Sequence, residues 1–264
     1  MENIDINNIR KQKEAEFHDK VRKGVNENAP EFRSFVIRRR FYSITRASRD
    51  FFWNFLIKNC KNKNVLDYCC GEGDATFLLA ENEANAVGID ISPESIKIAK
   101  ERALEKKIAE KTSFLVMDAE NLKFDKNSFD LIVCAGVLHH LDIEKAYKEL
   151  SRVLRNDGKI ICVEPLVHNP LFQLYRNLTP HLRTEWELHH ILRMSQINLA
   201  DKYFGKVERK FFHLFSLLAV PFRRTFLFNP LLLILEKIDL VILGLPGLRW
   251  WAWQIVFILS QPKK

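Results

Sequence analysis

The sequence is poor in the features that mark secreted, disulfide-bonded or membrane-spanning proteins. Its five cysteines are odd in number and lack both the paired spacing of a disulfide framework and the separated Cys-x-x-Cys pairs of a zinc ribbon. Residues 1–13 are polar and charged, without the apolar core of a secretory signal. Glu236, Lys237 and Asp239 interrupt the apolar C-terminal stretch, whereas a membrane span needs about 20 mostly apolar residues. We therefore expect a cytoplasmic protein.

The remaining composition is that of one α/β domain with elaborations. The chain has 264 residues, of which 47% are hydrophobic, and this is enough for one sizeable core. Its net charge of +8 favours contact with anionic surfaces such as nucleic acid or acidic lipid. Charge governs association and solubility and does not define a fold, so the pattern of the residues has to do so.

Short β-rich runs alternate with amphipathic helices from residue 64 onward. The predicted strands lie near 64–69, 86–90, 113–117, 130–135 and 159–164, and two more are predicted at 207–219 and 251–260 around an apolar helix at about 230–243. This alternation predicts a Rossmann-like α/β fold, with a seven-stranded, mostly parallel sheet and helices on both faces.

The chain divides into an appendage and a main domain. Residues 1–60 are predicted to be an N-terminal helical appendage that includes a helix at about 43–59, and residues 61–264 form the α/β domain. Within that domain, residues 166–204 are rich in His, Arg, Tyr and Thr and are predicted to form a helical lid between strands 5 and 6. Residues 205–264 are predicted to supply the C-terminal strands and the apolar helix.

The turn after the first predicted strand indicates the chemistry of the ligand. It contains two glycines, which let a backbone approach a ligand closely, but Thr76 stands where a dinucleotide site has its third glycine. Asp67, Glu72 and Asp74 would repel phosphates and attract an ammonium and a sulfonium group. S-adenosylmethionine carries both groups. Asp67 is the predicted partner of its ammonium, directly or through water.

Further carboxylates follow the next two predicted strands. Asp90 ends the second strand, where an acid can accept hydrogen bonds from both ribose hydroxyls, and Ile91 can pack on adenine. Asp118 follows the third strand and offers a carboxylate to the adenine amino group. All lie at carboxyl ends of strands, where open α/β sheets bind ligands. The structural alternative is that Asp67 caps a turn and Asp90 caps a helix.

Five segments, taken in order, resemble the class I S-adenosylmethionine-dependent methyltransferases, in particular the ubiquinone and menaquinone C-methyltransferase branch (methyltransferase type 11). They are VLDYCCGEGD, VGIDIS, FLVMDAENLKF, SFDLIVCAGVLHHL and RVLRNDGKIICVEP, and they cover roughly residues 60–165. The resemblance implies a methyltransferase domain over 61–264. The family usually has glycine where this chain has Cys69, which makes cofactor affinity the property to measure. The implied cofactor-binding residues are Asp67, Cys69, Gly71, Gly73, Asp90, Ile91, Asp118, Ala119, Cys134 and Ala135.

Methyl transfer depends mainly on alignment of the acceptor, and a base helps when the acceptor is a hydroxyl or an acidic carbon. The candidate catalytic residues are His139, His140, His189 and Tyr175. The resemblance places the first two near the methyl group, and a helix-start or lid-packing role is the alternative. The sequence has no His-x-x-Glu-His or His-Glu-x-x-His spacing, so we predict no metal.

The acceptor is predicted to be a small or lipid-like molecule, methylated on oxygen, carbon or nitrogen. The loop after the fourth strand lacks the Asn/Asp-Pro-Pro-Tyr/Phe motif of many nucleic-acid methyltransferases, which disfavours nucleic acid. The apolar, aromatic C-terminal third either packs on the last strands or makes peripheral contact with a membrane. The competing functions are a non-catalytic nucleoside-binding module, an NAD-dependent oxidoreductase and an RNA methyltransferase, and the oligomeric state is left open.

Overall fold

A computed structural model describes residues 6–22, 42–178 and 191–264, and these residues surround one seven-stranded sheet. The strands follow the order β3-β2-β1-β4-β5-β7-β6. The first five strands of the chain are mutually parallel, and β7 runs antiparallel to both β5 and β6. The predicted fold is therefore confirmed. The strands are β1 Asn64–Tyr68, β2 Asn85–Asp90, β3 Thr112–Val116, β4 Phe129–Ala135, β5 Leu154–Pro165, β6 Phe204–Phe212 and β7 Gln254–Pro262.

The helices begin where the sequence offers local caps. The Oγ of Ser92 accepts a hydrogen bond from the N–H of Ser95, and Pro93 occupies the first turn of α4. Asp142 caps α5 in the same way by accepting from Lys145. The helices are α1 Ile6–Arg22, α2 Arg46–Cys60, α3 Asp74–Glu81, α4 Pro93–Glu105, α5 Ile143–Val153, α6 Pro170–Leu178, α7 Met194–Asn198, α8 Ala200–Tyr203 and α9 Phe228–Ile242.

The core lies on both faces of the sheet because successive side chains of a strand point to opposite sides. In β4, Leu131 and Val133 pack with Phe52 and Leu56 of α2, whereas Ile132 on the other face belongs to the core around α5. Helix α2, which the sequence places in the appendage, thus contributes to the main core. Strands buried on both faces explain the near-continuous apolar runs of the central sheet.

The end of β6 differs from the prediction of a strand over 207–219. The strand stops at Phe212 because His213 has a left-handed φ of 65°. The buried carboxylate of Asp239 then accepts hydrogen bonds from three consecutive backbone N–H groups, those of residues 214–216. A 3₁₀ helix, Phe215–Phe222, follows. The predicted strand is therefore wrong after residue 212, because a short apolar run alone does not distinguish strand from helix.

The segment between β5 and β6 was predicted to be a lid. The described part contains α6, α7 and α8, and Leu166 forms an isolated parallel bridge with Leu192. Tyr175 belongs to α6, but its side chain and the whole of His189 lie outside the described residues. Among the helices described, none is both long and apolar enough to cross a membrane.

Candidate cofactor site

A pocket of about 230 Å³ opens at the carboxyl edge of the parallel strands. Its walls come from α1 and from the turns that follow β1, β2, β3 and β4. The described lining carries four carboxylates and two cations, an excess of negative charge that suits a cationic ligand. Seven of the ten predicted cofactor residues line this pocket, namely Cys69, Gly71, Asp90, Ile91, Asp118, Ala119 and Ala135.

The turn after β1 is built from left-handed residues. Gly71 and Gly73 have φ values of 54° and 86°, which glycine adopts without strain. Cys69 has a φ of 62°, so the position where the family has glycine does require a left-handed backbone. Burial raises the pKa of the Cys69 thiol well above its ordinary value, and this thiol is therefore a neutral part of the wall.

The other three predicted residues, Asp67, Gly73 and Cys134, are not among the residues that line the pocket, and the last two have packing positions. A Cβ at Gly73 would lie 2.9 Å from the ring of Phe114, so this glycine lets α3 pack closely on β3. Cys134 is fully buried within β4, opposite Cys162 of β5. Gly73 and Cys134 thus contribute to the packing of the fold.

Asp67 lies beneath the turn, buried at the end of β1. Its Oδ2 accepts hydrogen bonds from the backbone N–H of Thr76 at 2.9 Å and from the Thr76 hydroxyl at 2.7 Å. Burial raises the pKa of Asp67 to about 6; the Thr76 hydrogen bonds oppose this shift, and the charges of Asp90 and Asp74 add to it. This geometry is the turn-capping alternative. Both hydrogen bonds from Thr76 go to Oδ2.

Glu72 and Asp74 face away from the pocket, which corrects the sequence interpretation of an acid-rich turn. The guanidinium of Arg102 lies 2.6 Å from Asp74 and 3.5 Å from Glu72, on the outer surface. The net negative charge of the pocket instead comes from the end of β2 and the turn after β3, because the part of α1 in the lining has two cations and one carboxylate.

Asp90 joins two of the turns. One carboxylate oxygen accepts from the N–H of Gly71 and the other from the N–H of Ser92, each at 2.9 Å. The carboxylate is thereby fixed between the first and second turns while it remains part of the pocket wall. This is the position that the sequence predicted for an acid that holds the ribose.

Helix α1 forms a wall of the pocket that sequence reasoning missed. Lys11 Nζ lies 2.8 Å from Asp118 Oδ2 and 3.1 Å from Glu120 Oε2, and Arg10 forms a buried ion pair with Glu120. Oε2 of Glu14 lies 3.3 Å from Nδ1 of His140. The helical pattern of residues 6–22 was visible in the sequence, but these partners are more than 100 residues away and no local signal points to them.

Glu120 holds this wall in place, and its removal should release α1. Burial acts to raise the pKa of Glu120, but the N–H of Asp142 and the cations Arg10 and Lys11 outweigh it and lower the pKa. We expect Glu120→Ala to remove the buried carboxylate with which Arg10 and Lys11 form ion pairs, at a cost of about 3 to 5 kcal/mol. Hydrogen exchange should then show loss of amide protection over residues 6–22. The exposed Glu105→Ala should keep that protection, and equal protection in both variants would contradict the assignment.

The loop after β4 is organised by a buried carboxylate that the sequence did not single out. Oε1 of Glu164 accepts from the N–H groups of Val137 and Leu138 at 2.8 Å, and Oε2 lies 2.7 Å from Nδ1 of His139. His139 is buried and is not part of the pocket lining, whereas His140 does line the pocket. The centroids of the two imidazole rings lie 4.1 Å apart. The two predicted histidines therefore occupy different environments.

The described residues contain no group of three or more His, Cys, Asp and Glu side chains that could hold a metal ion.

The loop after β4 has open space at Gly136. Its φ is 70°, and a Cβ built there would have no atom within 4 Å apart from those of its chain neighbours. Such a surface accommodates an organic ligand beside the loop after β4.

Comparison with known proteins agrees with this geometry. The chain is 33% identical over 129 residues to the demethylmenaquinone methyltransferase of Lactococcus lactis. The aligned region covers 45% of this chain and 51% of that protein. It is 36% identical over 110 residues to a ubiquinone/menaquinone biosynthesis C-methyltransferase of Rickettsia prowazekii. This aligned region covers 39% of this chain and 44% of that protein. The chain thus spans about half the length of these curated relatives.

A solved structure extends the similarity over nearly the whole chain. The geranyl diphosphate C-methyltransferase of Streptomyces coelicolor superposes with a TM-score of 0.62 at 13% identity and covers 96% of this chain and 98% of its own. At that identity the likeness concerns the fold. A family described as methyltransferase domain matches residues 59–209, more than half of the chain. The protein belongs to the methyltransferase domain family.

Proposed function

We propose that the protein transfers a methyl group from S-adenosylmethionine to a small acceptor with an isoprenoid or similarly apolar tail. The observation that carries the proposal is the position of Asp90, which faces the pocket while it is fixed by the backbone of two turns. The curated relatives act in quinone biosynthesis by their names, and the structural neighbour acts on geranyl diphosphate, which supports an acceptor with an apolar tail.

The residues of the pocket fit the cofactor. Asp90 would accept hydrogen bonds from the ribose hydroxyls, Ile91 would pack on adenine, and Asp118 would accept from the adenine amino group beside Lys11. Asp67 is buried beneath the turn and does not line the pocket, so it would interact with the ammonium through water. S-adenosylmethionine would supply an electrophilic methyl group, whose bonding electrons stay with sulfur when the acceptor forms the new bond. The proton that the acceptor loses then passes to a base or to water.

We assign the removal of that proton to His140. It lines the pocket, its Nδ1 lies 3.3 Å from Oε2 of Glu14, and its ring centroid lies 4.1 Å from that of buried His139. We expect His140→Ala to lower kcat about 100-fold or more with little change in Tm, since a general base typically contributes about 100-fold to 10,000-fold. His139→Ala should mainly lower Tm, because it removes a buried hydrogen bond to Glu164. Steady-state kinetics and thermal melts of both variants measure these effects. A loss of kcat in His139→Ala together with a loss of Tm in His140→Ala would contradict the assignment.

The proposed activity is tested by titration calorimetry followed by turnover. The protein should bind S-adenosylmethionine and its demethylated product and not NAD, and it should transfer labelled methyl groups to extracted lipids rather than to polar metabolites. Transfer to polar acceptors alone would reject the apolar acceptor. Cofactor binding without transfer to any acceptor would instead support a nucleoside-binding module.

A further inference from the structure

Helix α9 is apolar on the side that it turns away from the core. Leu232, Leu235 and Asp239 are buried. The first turn exposes Asn229 and Pro230, and beyond that turn the exposed positions are Leu233, Ile234, Lys237, Ile238, Leu240 and Val241. At about 100° per residue these exposed positions span an arc of about 160°. A surface helix of a globular protein normally presents charged and polar residues there, so this face has the composition of a buried one.

Exposed aromatic residues continue this surface beyond both ends of α9. Phe226 precedes the helix and is 88% exposed, and Trp250 and Trp251 lie in the 3₁₀ helix Leu248–Trp251 that follows it. We call the surface formed by Phe226, Ile234, Leu240, Val241, Trp250 and Trp251 the apolar face. Large exposed apolar patches mark sites of association.

The exposed charges within residues 214–253 are all positive. Arg224, Lys237 and Arg249 are exposed and Arg223 is partly so, which places cations before, on and after α9. The two acids of residues 214–253 are withdrawn from the surface: Asp239 is buried against backbone N–H groups, and Glu236 forms an ion pair with Arg46. The face therefore combines apolar side chains with uncompensated positive charge.

We propose that the apolar face docks onto a membrane surface that carries acidic phospholipid headgroups, with α9 lying in the plane of the interface. The 15 residues of α9 extend about 22 Å, which suits a helix that lies along the surface. Trp side chains favour the headgroup level, and the cations complement acidic lipid. Pairing of two copies of the chain through this face would bring like charges together, which disfavours a dimer.

The apolar face is joined to the carboxyl edge of the sheet. Immediately after β5, the N–H of Leu166 donates to the carbonyl of Trp253, and the side-chain amide of Asn169 donates to the carbonyl of Trp251. The predicted lid segment therefore starts beside the docking surface. The inference goes beyond the proposed function, because docking requires neither cofactor nor acceptor.

The first test is co-sedimentation of the full chain with vesicles, without cofactor. We expect binding to vesicles of phosphatidylcholine with phosphatidylglycerol and weak binding to phosphatidylcholine alone. Leu240→Gln should lower the partition coefficient about tenfold, because it removes one apolar side chain from the lipid. Leu104→Gln is the matched control: Leu104 on α4 is 69% exposed and Leu240 is 71% exposed. Equal losses in both variants would overturn the proposal.

The second test removes charge instead of apolar surface. Arg224→Gln combined with Lys237→Gln should lower partitioning onto the acidic vesicles about 25-fold, or about fivefold for each cation, and leave the neutral vesicles unaffected. Lys97→Gln combined with Lys100→Gln removes two exposed cations from α4 and should have little effect. Absence of binding to acidic vesicles would refute the docking, as would concentration-dependent dimerisation that Leu240→Gln abolishes. Neither result depends on whether the protein transfers methyl groups.

Discussion

Replacement of Asp90 by alanine should weaken the binding of S-adenosylmethionine about 1,000-fold. In the proposed function the carboxylate accepts two hydrogen bonds from the ribose, and hydrogen bonds to a charged group contribute about 1.5 to 3 kcal/mol each. Its loss also frees the N–H groups of Gly71 and Ser92, so the two turns lose their common anchor. Titration calorimetry with the cofactor and with its demethylated product measures the effect.

The control variants separate the site from the fold. Asp157→Ala removes an exposed acid from the loop region of β5 and should leave affinity unchanged. Asp90→Asn keeps the size of the side chain and one acceptor oxygen, so its affinity should lie between those of wild type and Asp90→Ala. Thermal melts should show that all three variants fold. An affinity for Asp90→Ala close to that of wild type would remove the main support for the proposed function.

Replacement of Asp67 by asparagine should stabilise the protein at alkaline pH. The pKa of Asp67 is raised from 3.8 to about 6 in the folded state. Between these values the folded protein keeps a proton that the unfolded chain has released, so the free energy of unfolding falls as pH rises through this interval. Ionised Asp67 therefore costs the fold up to about 3 kcal/mol above pH 6. Asparagine keeps an oxygen for Thr76 without the charge.

Denaturant unfolding at several pH values tests this expectation. The variant should match wild type near pH 4 and exceed it by up to about 3 kcal/mol at pH 8. Thr76→Val removes the hydroxyl that donates to Asp67 and should destabilise instead. A constant difference between Asp67→Asn and wild type at every pH would show that the carboxylate does not titrate in this way. If Asp67 also receives the cofactor's ammonium, the same substitution will weaken cofactor binding while it stabilises the fold.

The sequence predicted the sheet and most of the pocket because both depend on local patterns. Alternation of strands and helices defined the topology, and acids at strand ends identified Asp90 and Asp118 as part of one edge. The same local reasoning placed Glu72 and Asp74 in the site, because a carboxylate in a turn has no visible direction until Arg102 of α4 is known. It could not separate His139 from His140, whose difference comes from Glu164 on another strand.

The features that the sequence did not predict are contacts between distant segments. Nothing near Arg10 or Lys11 indicates that these cations reach the turn after β3. The strand predicted at 207–219 failed for a related reason, since Asp239 on α9 ends it from outside the segment. Local periodicity describes elements well, whereas their ends and the walls of a pocket depend on residues that lie far along the chain.

The position of α1 has a consequence for the order in which the pocket is assembled. Its polar partners in the pocket lie 107 to 130 residues further along the chain. During synthesis α1 therefore leaves the ribosome long before the surface that receives it exists. Closing so long a loop is entropically costly until β1 to β4 have paired. We expect the cofactor pocket to be completed late in folding, by a segment that is made before the strands it closes upon.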